Sequence, residues 1–199
     1  MRCYVSLRTR SLSRLQRLLW ILGYLPQVAR WLYLDALDRG RFNLAFYRGY
    51  AGLDAAELRQ AARDDSAPLF RLFDGARAEV AAHRQAGEGV VLVTGSLDFI
   101  VERLAAELQA DRLIAARLLE SQGRFTGELV GPPLSGAEKA RAVEKDAAEH
   151  DVDLHASSAY ADSYSDLPLL ESVGRPCAVN PDRKLKREAL KRGWRIERW

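Results

Sequence analysis

The alternation of strands and helices after about residue 75 constrains the fold more than any other feature of this sequence. The run "GVVLVTG" (89–95) is short, apolar and β-branched, which predicts a strand buried on both faces. Amphipathic helices are expected on either side of it, at 75–87 and 97–110. Strands separated by helices in this way form parallel sheets. The sequence therefore predicts an α/β fold for this part of the chain.

The same alternation continues to the end of the chain. Strands are expected on both sides of a turn at Gly123, at 157–162 and at 177–180, with a last one in "WRIER". Further helices are expected at 136–150, 166–173 and 182–192. Ligands of such sheets bind at the carboxyl ends of the strands. Polar residues at those ends are therefore the first candidates for a functional site.

The N-terminal part is predicted to be helical from about residue 10 to 70. Leucines recur at helical spacing, and Asp54 with Glu57 forms a plausible capping pair. The apolar segment 15–34 is interrupted by Pro26 and by charged residues, so it is not expected to span a bilayer as one helix. Two short amphipathic helices, packed on each other or lying on a membrane surface, fit it better.

Charge and cysteine content exclude several classes of protein. The chain carries 30 basic and 27 acidic residues, and the excess lies at its two ends, with no acid before Asp35. Such runs are usually solvated faces, and no nucleic-acid motif accompanies them, so nucleic-acid binding is not expected. Cys3 and Cys177 provide neither a disulfide framework nor a zinc site. A cytoplasmic location is the expectation.

The first candidate site follows the strand 89–93. Thr94 and the backbone N–H groups of Gly95 and Ser96 are predicted to lie at a helix N-terminus, where unpaired N–H groups and the helix dipole bind anions. The alternative is that Ser96 caps the helix and Gly95 turns the chain.

The second candidate site follows the strand 157–161. Asp162 and Asp166 lie four residues apart, and two carboxylates so close suit Mg²⁺, which takes one or two carboxylates and keeps several waters. The alternative is that Asp166 interacts with a helix dipole and Asp162 caps a turn. Lys139 lies in the first turn of the helix 136–150, where its charge opposes the helix dipole unless an anion is near. Together these residues suit a phosphate bound with Mg²⁺.

Three segments, "VVLVTGS", "GAEKARAV" and "YADSYSDLPLLESVG" followed by "AVNPD", resemble in this order the second, third and fourth motifs of the haloacid dehalogenase (HAD) superfamily. The resemblance is to its phosphoserine-phosphatase-like branch, subfamily IB, and covers residues 75–199. It implies a three-layer Rossmann-like core with a parallel sheet over 73–199. Residues 15–72 would form a helical cap-like region, and 1–14 a degenerate or truncated first strand.

The resemblance also implies a role for each candidate residue. Thr94, Gly95 and Ser96 would bind the transferred phosphoryl group, and Lys139 would neutralise it. Asp162 and Asp166 would hold Mg²⁺ directly or through water. The substrate would be a small phosphorylated metabolite.

The first motif of that family, Asp-x-Asp-Gly-Thr, is not found in this sequence. "YVSLRTR" (4–10) stands in its place without carboxylates, "LDALDRG" (34–40) has the wrong spacing, and "LFDGA" (72–76) lacks the second acid. Because the first aspartate of the motif accepts the phosphoryl group, the chain as given is expected to be inactive. It is either a truncated or frame-shifted reading of a phosphatase or a degenerate homologue. The alternative function is a non-catalytic module that binds a phospho-ligand or, through residues 1–34, an anionic membrane.

Overall fold

The computed structural model describes residues 39–64 and 72–199, together with twelve single or neighbouring residues between 13 and 33. The degenerate or truncated first strand expected at 1–14, with its "YVSLRTR" segment, lies outside the described residues apart from Ser13. Each described residue from Leu15 to Tyr33 is helical. Among the described residues, no helix is both long enough and apolar enough to cross a membrane.

The predicted order of strands and helices after residue 75 is confirmed. Helices α1 to α7 are Arg39–Tyr47, Ala55–Asp64, Asp74–Gln85, Asp98–Glu107, Ala137–Glu149, Leu167–Glu171 and Arg183–Arg192. Strands β1 to β7 are Val91–Leu97, Arg112–Ala116, Leu118–Ser121, Arg124–Leu129, Ser158–Ala161, Arg175–Val179 and Arg195–Glu197. Short 3₁₀ turns cover Arg48–Tyr50 and Tyr164–Asp166. The elements agree with an α/β fold.

The chain divides into two compact units. The described part of the first unit comprises 39–64, 97–103 and 116–133, with the residues before 34. The second unit comprises the described residues of 72–96, 104–115 and 134–199. The first unit thus takes in two segments of the region that the HAD resemblance assigns to the core.

The first unit is held together by an aromatic core. Phe99 and Phe125 stack with their ring centroids 5.6 Å apart, and Tyr50 and Leu58 are almost fully buried beside them. Strands β3 and β4 form an antiparallel hairpin, and its turn contains Gly123 with a positive φ of 74°, as the sequence predicted. The predicted capping pair is present, because the Asp54 carboxylate accepts the backbone N–H of Glu57 at 2.9 Å.

The second unit contains a three-stranded parallel sheet in the order β5-β6-β7. Leu170, Ala178, Leu185 and Ala189 form a fully buried core between this sheet and helices α6 and α7. Helix α7 begins at Asp182, whose carboxylate accepts the N–H groups of Lys184 and Leu185 at 2.8 Å each. It ends at Gly193, whose φ of 68° suits glycine at a helix C-terminus.

The described strands pair in three sets: β1 with β2, β3 with β4, and β5-β6-β7 in parallel. Parallel strands joined through helices agree with the predicted α/β fold with a Rossmann-like core. Strand β1 was predicted to be buried on both faces, whereas its residues 91–96 are half-buried and Leu97 is fully buried.

Candidate active site

Lys139 and Asp166 form the centre of the candidate site. Helix α5 begins at Ala137, and its N-terminal turn packs against the 3₁₀ turn that follows β5. The Lys139 ammonium donates to both carboxylate oxygens of Asp166 at 2.8 Å, and the two side chains are only 15% and 10% exposed. The anion that a lysine at this helix position requires is therefore Asp166 itself.

Asp162 lies at the carboxyl end of β5 with an exposed carboxylate. Among the described residues its carboxylate makes no hydrogen bond or ion pair, unlike that of Asp166. Its backbone C=O accepts the N–H of Asp182 at 2.8 Å. The two aspartates are thus unequal, because one is buried on a lysine and the other faces solvent.

Asp182 fixes the turn that carries Asp162. Besides the N–H groups of α7, its carboxylate accepts the backbone N–H of Tyr164 at 2.7 Å. Burial raises the pKa of this carboxyl, but the three backbone donors outweigh that effect and hold the pKa below its ordinary value. The Lys184 ammonium also lies over the Tyr164 ring, 5.9 Å from its centroid. Hydrogen bonds between Asp182 and the backbone of Asp162 and of Tyr164 therefore hold the turn after β5 against the start of α7.

Thr94, Gly95 and Ser96 lie near the carboxyl end of β1, as predicted. The Thr94 hydroxyl accepts the backbone N–H of Ser96 at 3.1 Å. Strand β1 continues to Leu97 and α4 begins at Asp98, so Ser96 lies two residues before the helix that was predicted to start at 97. Asp98 also accepts the N–H of Phe99 at 2.8 Å, which places a carboxylate at this helix start. The strand continues beyond Gly95 through Ser96 and Leu97.

A polar cluster around Tyr160 lies two residues before Asp162 on the same strand. The Tyr160 hydroxyl donates to Glu79 at 2.9 Å and contacts the His83 ring at 2.7 Å, both on α3. Burial, together with the hydrogen bond to Glu79, raises the pKa of Tyr160 to about 12. The hydroxyl is therefore protonated at neutral pH and anchors β5 to α3.

Asp162 and Asp166 can contribute carboxylate oxygens to a divalent cation, although no larger group of ligands surrounds them in the described part of the chain. No group of three or more His, Cys, Asp or Glu side chains that could hold a metal occurs in 39–64 or 72–199. Asp162 offers an exposed carboxylate, and the Asp166 carboxylate is shared with Lys139. One or two carboxylates with several waters are what Mg²⁺ takes in phosphate sites. The donor set fits such a water-rich site and no all-protein cage.

The structure therefore brings Lys139 and Asp166 into contact. Asp162 lies four residues before Asp166, in the segment that connects β5 to the 3₁₀ turn. Thr94 and Ser96 hydrogen-bond each other within their own strand. Sequence reasoning assigned no role to Asp182 or Tyr160. For Asp182 a signal was present, because Asn-Pro-Asp before a helical segment is typical of a helix start.

The "LFDGA" segment has no strand before it in the described structure. Asp74 is the first residue of α3, and Leu72 and Phe73 precede it without regular structure.

Comparison with known proteins assigns the chain to a family. The family model of haloacid dehalogenase-like hydrolases matches residues 1–171. The chain is 47% identical over 165 residues to an "Inhibition of morphological differentiation protein" of Streptomyces azureus, covering 81% of this chain and 58% of that protein. It therefore spans less than two thirds of the length of that relative.

Two relatives from Mycobacterium tuberculosis carry phosphatase names. A "probable phosphatase" is 39% identical over 166 residues, covering 81% of this chain and 56% of the relative. A "phosphoserine phosphatase" is 32% identical over 182 residues, covering 88% of this chain and 59% of the relative.

A solved structure of similar fold comes from Bordetella pertussis and is described as a protein of unknown function. It superposes with a TM-score of 0.73 at 26% identity and covers 98% of this chain and 88% of its own. The match of the family model, the order of the motifs and the agreement in fold give one conclusion: the chain belongs to the haloacid dehalogenase-like hydrolases, and within them it is phosphoserine-phosphatase-like.

Proposed function

We propose that this chain carries the phosphate- and Mg²⁺-binding part of a phosphomonoester phosphatase site and does not itself hydrolyse phosphate esters. The observation that carries the proposal is the buried pair of Lys139 and Asp166 beside the exposed Asp162. Two hydrogen bonds to the Asp166 carboxylate fix the position of the Lys139 ammonium, from which it could contact a phosphate oxygen. The phosphatase names of two relatives support the choice of substrate class.

Each residue has a part in the proposed site. Thr94 would hold a phosphate oxygen through its hydroxyl, helped by the backbone of Gly95 and Ser96, and Lys139 would neutralise the phosphate. Asp162, with Asp166, would hold Mg²⁺, which supplies positive charge to phosphate oxygens when bound. The ligand would be a small phosphorylated metabolite.

The proposed lack of hydrolysis rests on the sequence. A phosphoryl group leaving its ester needs an acceptor atom, and the aspartate pair that resembles the family's acceptor motif is not found in this chain. Lys139 and Thr94 can bind and orient the phosphate, but neither is a carboxylate nucleophile.

Two measurements on the full chain test this proposal. We expect inorganic phosphate to bind in the presence of Mg²⁺, as followed by calorimetry, and aryl phosphate to remain unhydrolysed. Lys139→Met is expected to weaken phosphate binding at least about tenfold, because the compensating charge is lost. Lys145→Met is the matched control, since Lys145 lies on the same helix with its side chain 77% exposed.

Thr94→Val is a second variant that keeps side-chain volume and is expected to weaken phosphate binding without unfolding the chain. Mn²⁺ titration of the Asp162→Asn variant tests the cation separately, and weaker binding than in the unmodified chain is expected. Phosphate binding that is unchanged in Lys139→Met and Thr94→Val would contradict the assigned site. Mg²⁺-dependent hydrolysis that is lost in Asp162→Asn would instead overturn the proposed inactivity and leave the site assignment intact.

A further inference from the structure

The two carboxylates of the proposed cation site are held in different ways. The Asp166 carboxylate accepts two hydrogen bonds of 2.8 Å from Lys139 on helix α5. In the described part of the chain the Asp162 carboxylate has no such partner, and Asp162 is exposed. The position of the Asp162 carboxylate therefore depends on the backbone that carries it.

Asp182 contacts that backbone on both sides of Ser163. Its N–H donates to the carbonyl oxygen of Asp162 at 2.8 Å, and its carboxylate oxygen Oδ2 accepts the N–H of Tyr164 at 2.7 Å. The other carboxylate oxygen, Oδ1, accepts the first N–H groups of helix α7. Capping a helix requires only one side-chain oxygen, so the contact between Oδ2 and Tyr164 is additional to the cap.

Asp182 is itself held by the parallel sheet. Asn180, which follows β6, donates its backbone N–H to the carbonyl oxygen of Glu197 in β7 at 2.9 Å. The Asn180 side chain also accepts the N–H of Trp199 at 3.1 Å and donates to the carbonyl oxygen of Trp199 at 3.2 Å. Pro181 lies between Asn180 and Asp182 and has a fixed φ. The turn that carries Asp162 is therefore attached to a well-ordered part of the second unit.

We propose that Asp182 is a positioning residue for cation binding, which holds the Asp162 carboxylate in place through the backbone of Asp162 and Tyr164. This inference rests on the function proposed above, in which Asp162 and Asp166 hold the cation. A ligand on an ordered turn loses less conformational entropy when the cation binds, so the cation binds more tightly. Residues that orient metal ligands contribute about 10- to 100-fold to metal affinity.

Titration of the full chain with Mn²⁺, followed by electron paramagnetic resonance of the free ion, tests the proposal. The variant Tyr164→Pro deletes the N–H that Asp182 accepts and keeps every carboxylate of the chain. The backbone suits proline, because Tyr164 begins a 3₁₀ turn and Ser163 before it is extended, with a φ of −111° and a ψ of 140°. We expect Tyr164→Pro to weaken Mn²⁺ binding at least about tenfold.

Two further variants separate the hydrogen bond from other effects. Tyr164→Ala is the matched control, because it removes the same 40% exposed side chain and keeps the N–H donor, so it is expected to bind Mn²⁺ as the unmodified chain does. Asp182→Ser keeps a helix cap, but its single, shorter side-chain oxygen does not also reach Tyr164. It is expected to weaken Mn²⁺ binding as Tyr164→Pro does. Circular dichroism checks that each variant is folded.

Three outcomes would overturn the role of Asp182. The first is Mn²⁺ binding by Tyr164→Pro that equals that of the unmodified chain. The second is equal weakening by Tyr164→Pro and Tyr164→Ala, because the ring would then be responsible. The third is weakening by Asp182→Ser alone, because the lost negative charge would then explain the effect.

Asp162→Asn, measured in the same titration, distinguishes this proposal from the proposed function. If Asp162→Asn binds Mn²⁺ weakly while Tyr164→Pro binds it normally, the cation site is retained and only the role of Asp182 is wrong. If Asp162→Asn binds Mn²⁺ as the unmodified chain does, the cation site is not at Asp162, and both proposals are overturned.

Discussion

Lys139 occupies a helix position that is unfavourable for a cation unless a specific anion compensates it. Its ammonium faces the positive end of the α5 dipole and is mostly removed from water. The Asp166 carboxylate, 10% exposed, compensates both costs through two hydrogen bonds of 2.8 Å. Removing either charge is therefore expected to destabilise the fold, because the other charge would stay buried without a partner.

Lys139→Met is expected to lower the free energy of unfolding by about 3 kcal/mol, because the buried Asp166 carboxylate loses its counter-charge. Lys145→Met, on the same helix but 77% exposed, is expected to change it by less than about 0.5 kcal/mol. Urea unfolding measures both. The double variant Lys139→Met/Asp166→Leu is expected to be more stable than Lys139→Met. Equal destabilisation by the two lysine variants would contradict the importance of the pair.

The need for an anion beside Lys139 could be predicted from sequence, because helix position and dipole are local properties. Its identity could not be predicted from local signals, since Asp166 is 27 residues away and is brought there by the packing of α5 on the turn after β5. The end of β1 is likewise not a local property, because whether the strand ends near Gly95 or continues to Leu97 depends on neighbouring strands, which single-sequence patterns do not reveal.

At the level of secondary-structure elements, Asp182 joins two parts of the second unit. One carboxylate oxygen begins helix α7, and the other accepts the N–H of Tyr164 in the turn that carries Asp162. Three donors on one carboxylate hold its pKa below the ordinary value of 3.8 despite burial, which acts in the opposite direction. The ionised form of Asp182 is therefore linked to folding.

Because the pKa of Asp182 is lower in the folded chain than in the unfolded chain, its ionised form stabilises the fold. This stabilisation is fully present at pH values above the unfolded-state pKa. It is lost as the pH falls through the folded-state pKa. Asn caps helices as well and cannot ionise, so Asp182→Asn isolates the contribution of charge. We expect the unmodified chain to be more stable than Asp182→Asn near neutral pH, and the difference to shrink below about pH 4. Asp182→Ala, which also removes the cap, is expected to cost about 1 kcal/mol or more.

Urea unfolding of the three proteins at neutral and acidic pH measures these differences. A difference between the unmodified chain and Asp182→Asn that stays constant with pH would contradict the role of the charge. The contribution of the helix cap is the difference in the free energy of unfolding between Asp182→Asn and Asp182→Ala. This difference is not expected to depend on pH, because neither variant has an ionisable side chain at residue 182.

For the whole molecule, the α/β class and the order of elements were predictable, whereas the partner of each strand was not. Hydrophobic periodicity and turn residues are local, so α3 to α7 and β1 to β7 appear near their predicted positions. Strand pairing is non-local, so no local signal gives the order β5-β6-β7 or the pairing of β1 with β2.

Position in the parallel sheet predicts different local stabilities for β6 and β7. Strand β6 lies between β5 and β7, and Cys177, Ala178 and Val179 are buried within it, whereas β7 is partly exposed and pairs with β6 alone among the described strands. Amides with pairing on both sides open only with larger unfolding events, while those at the edge of a sheet open locally. Amide hydrogens of residues 177–179 are therefore expected to exchange at least about tenfold more slowly than those of residues 195–197. Hydrogen exchange followed by mass spectrometry measures both peptides, with helix α7 as an internal reference. Equally slow exchange in the two strands would contradict this difference in local stability.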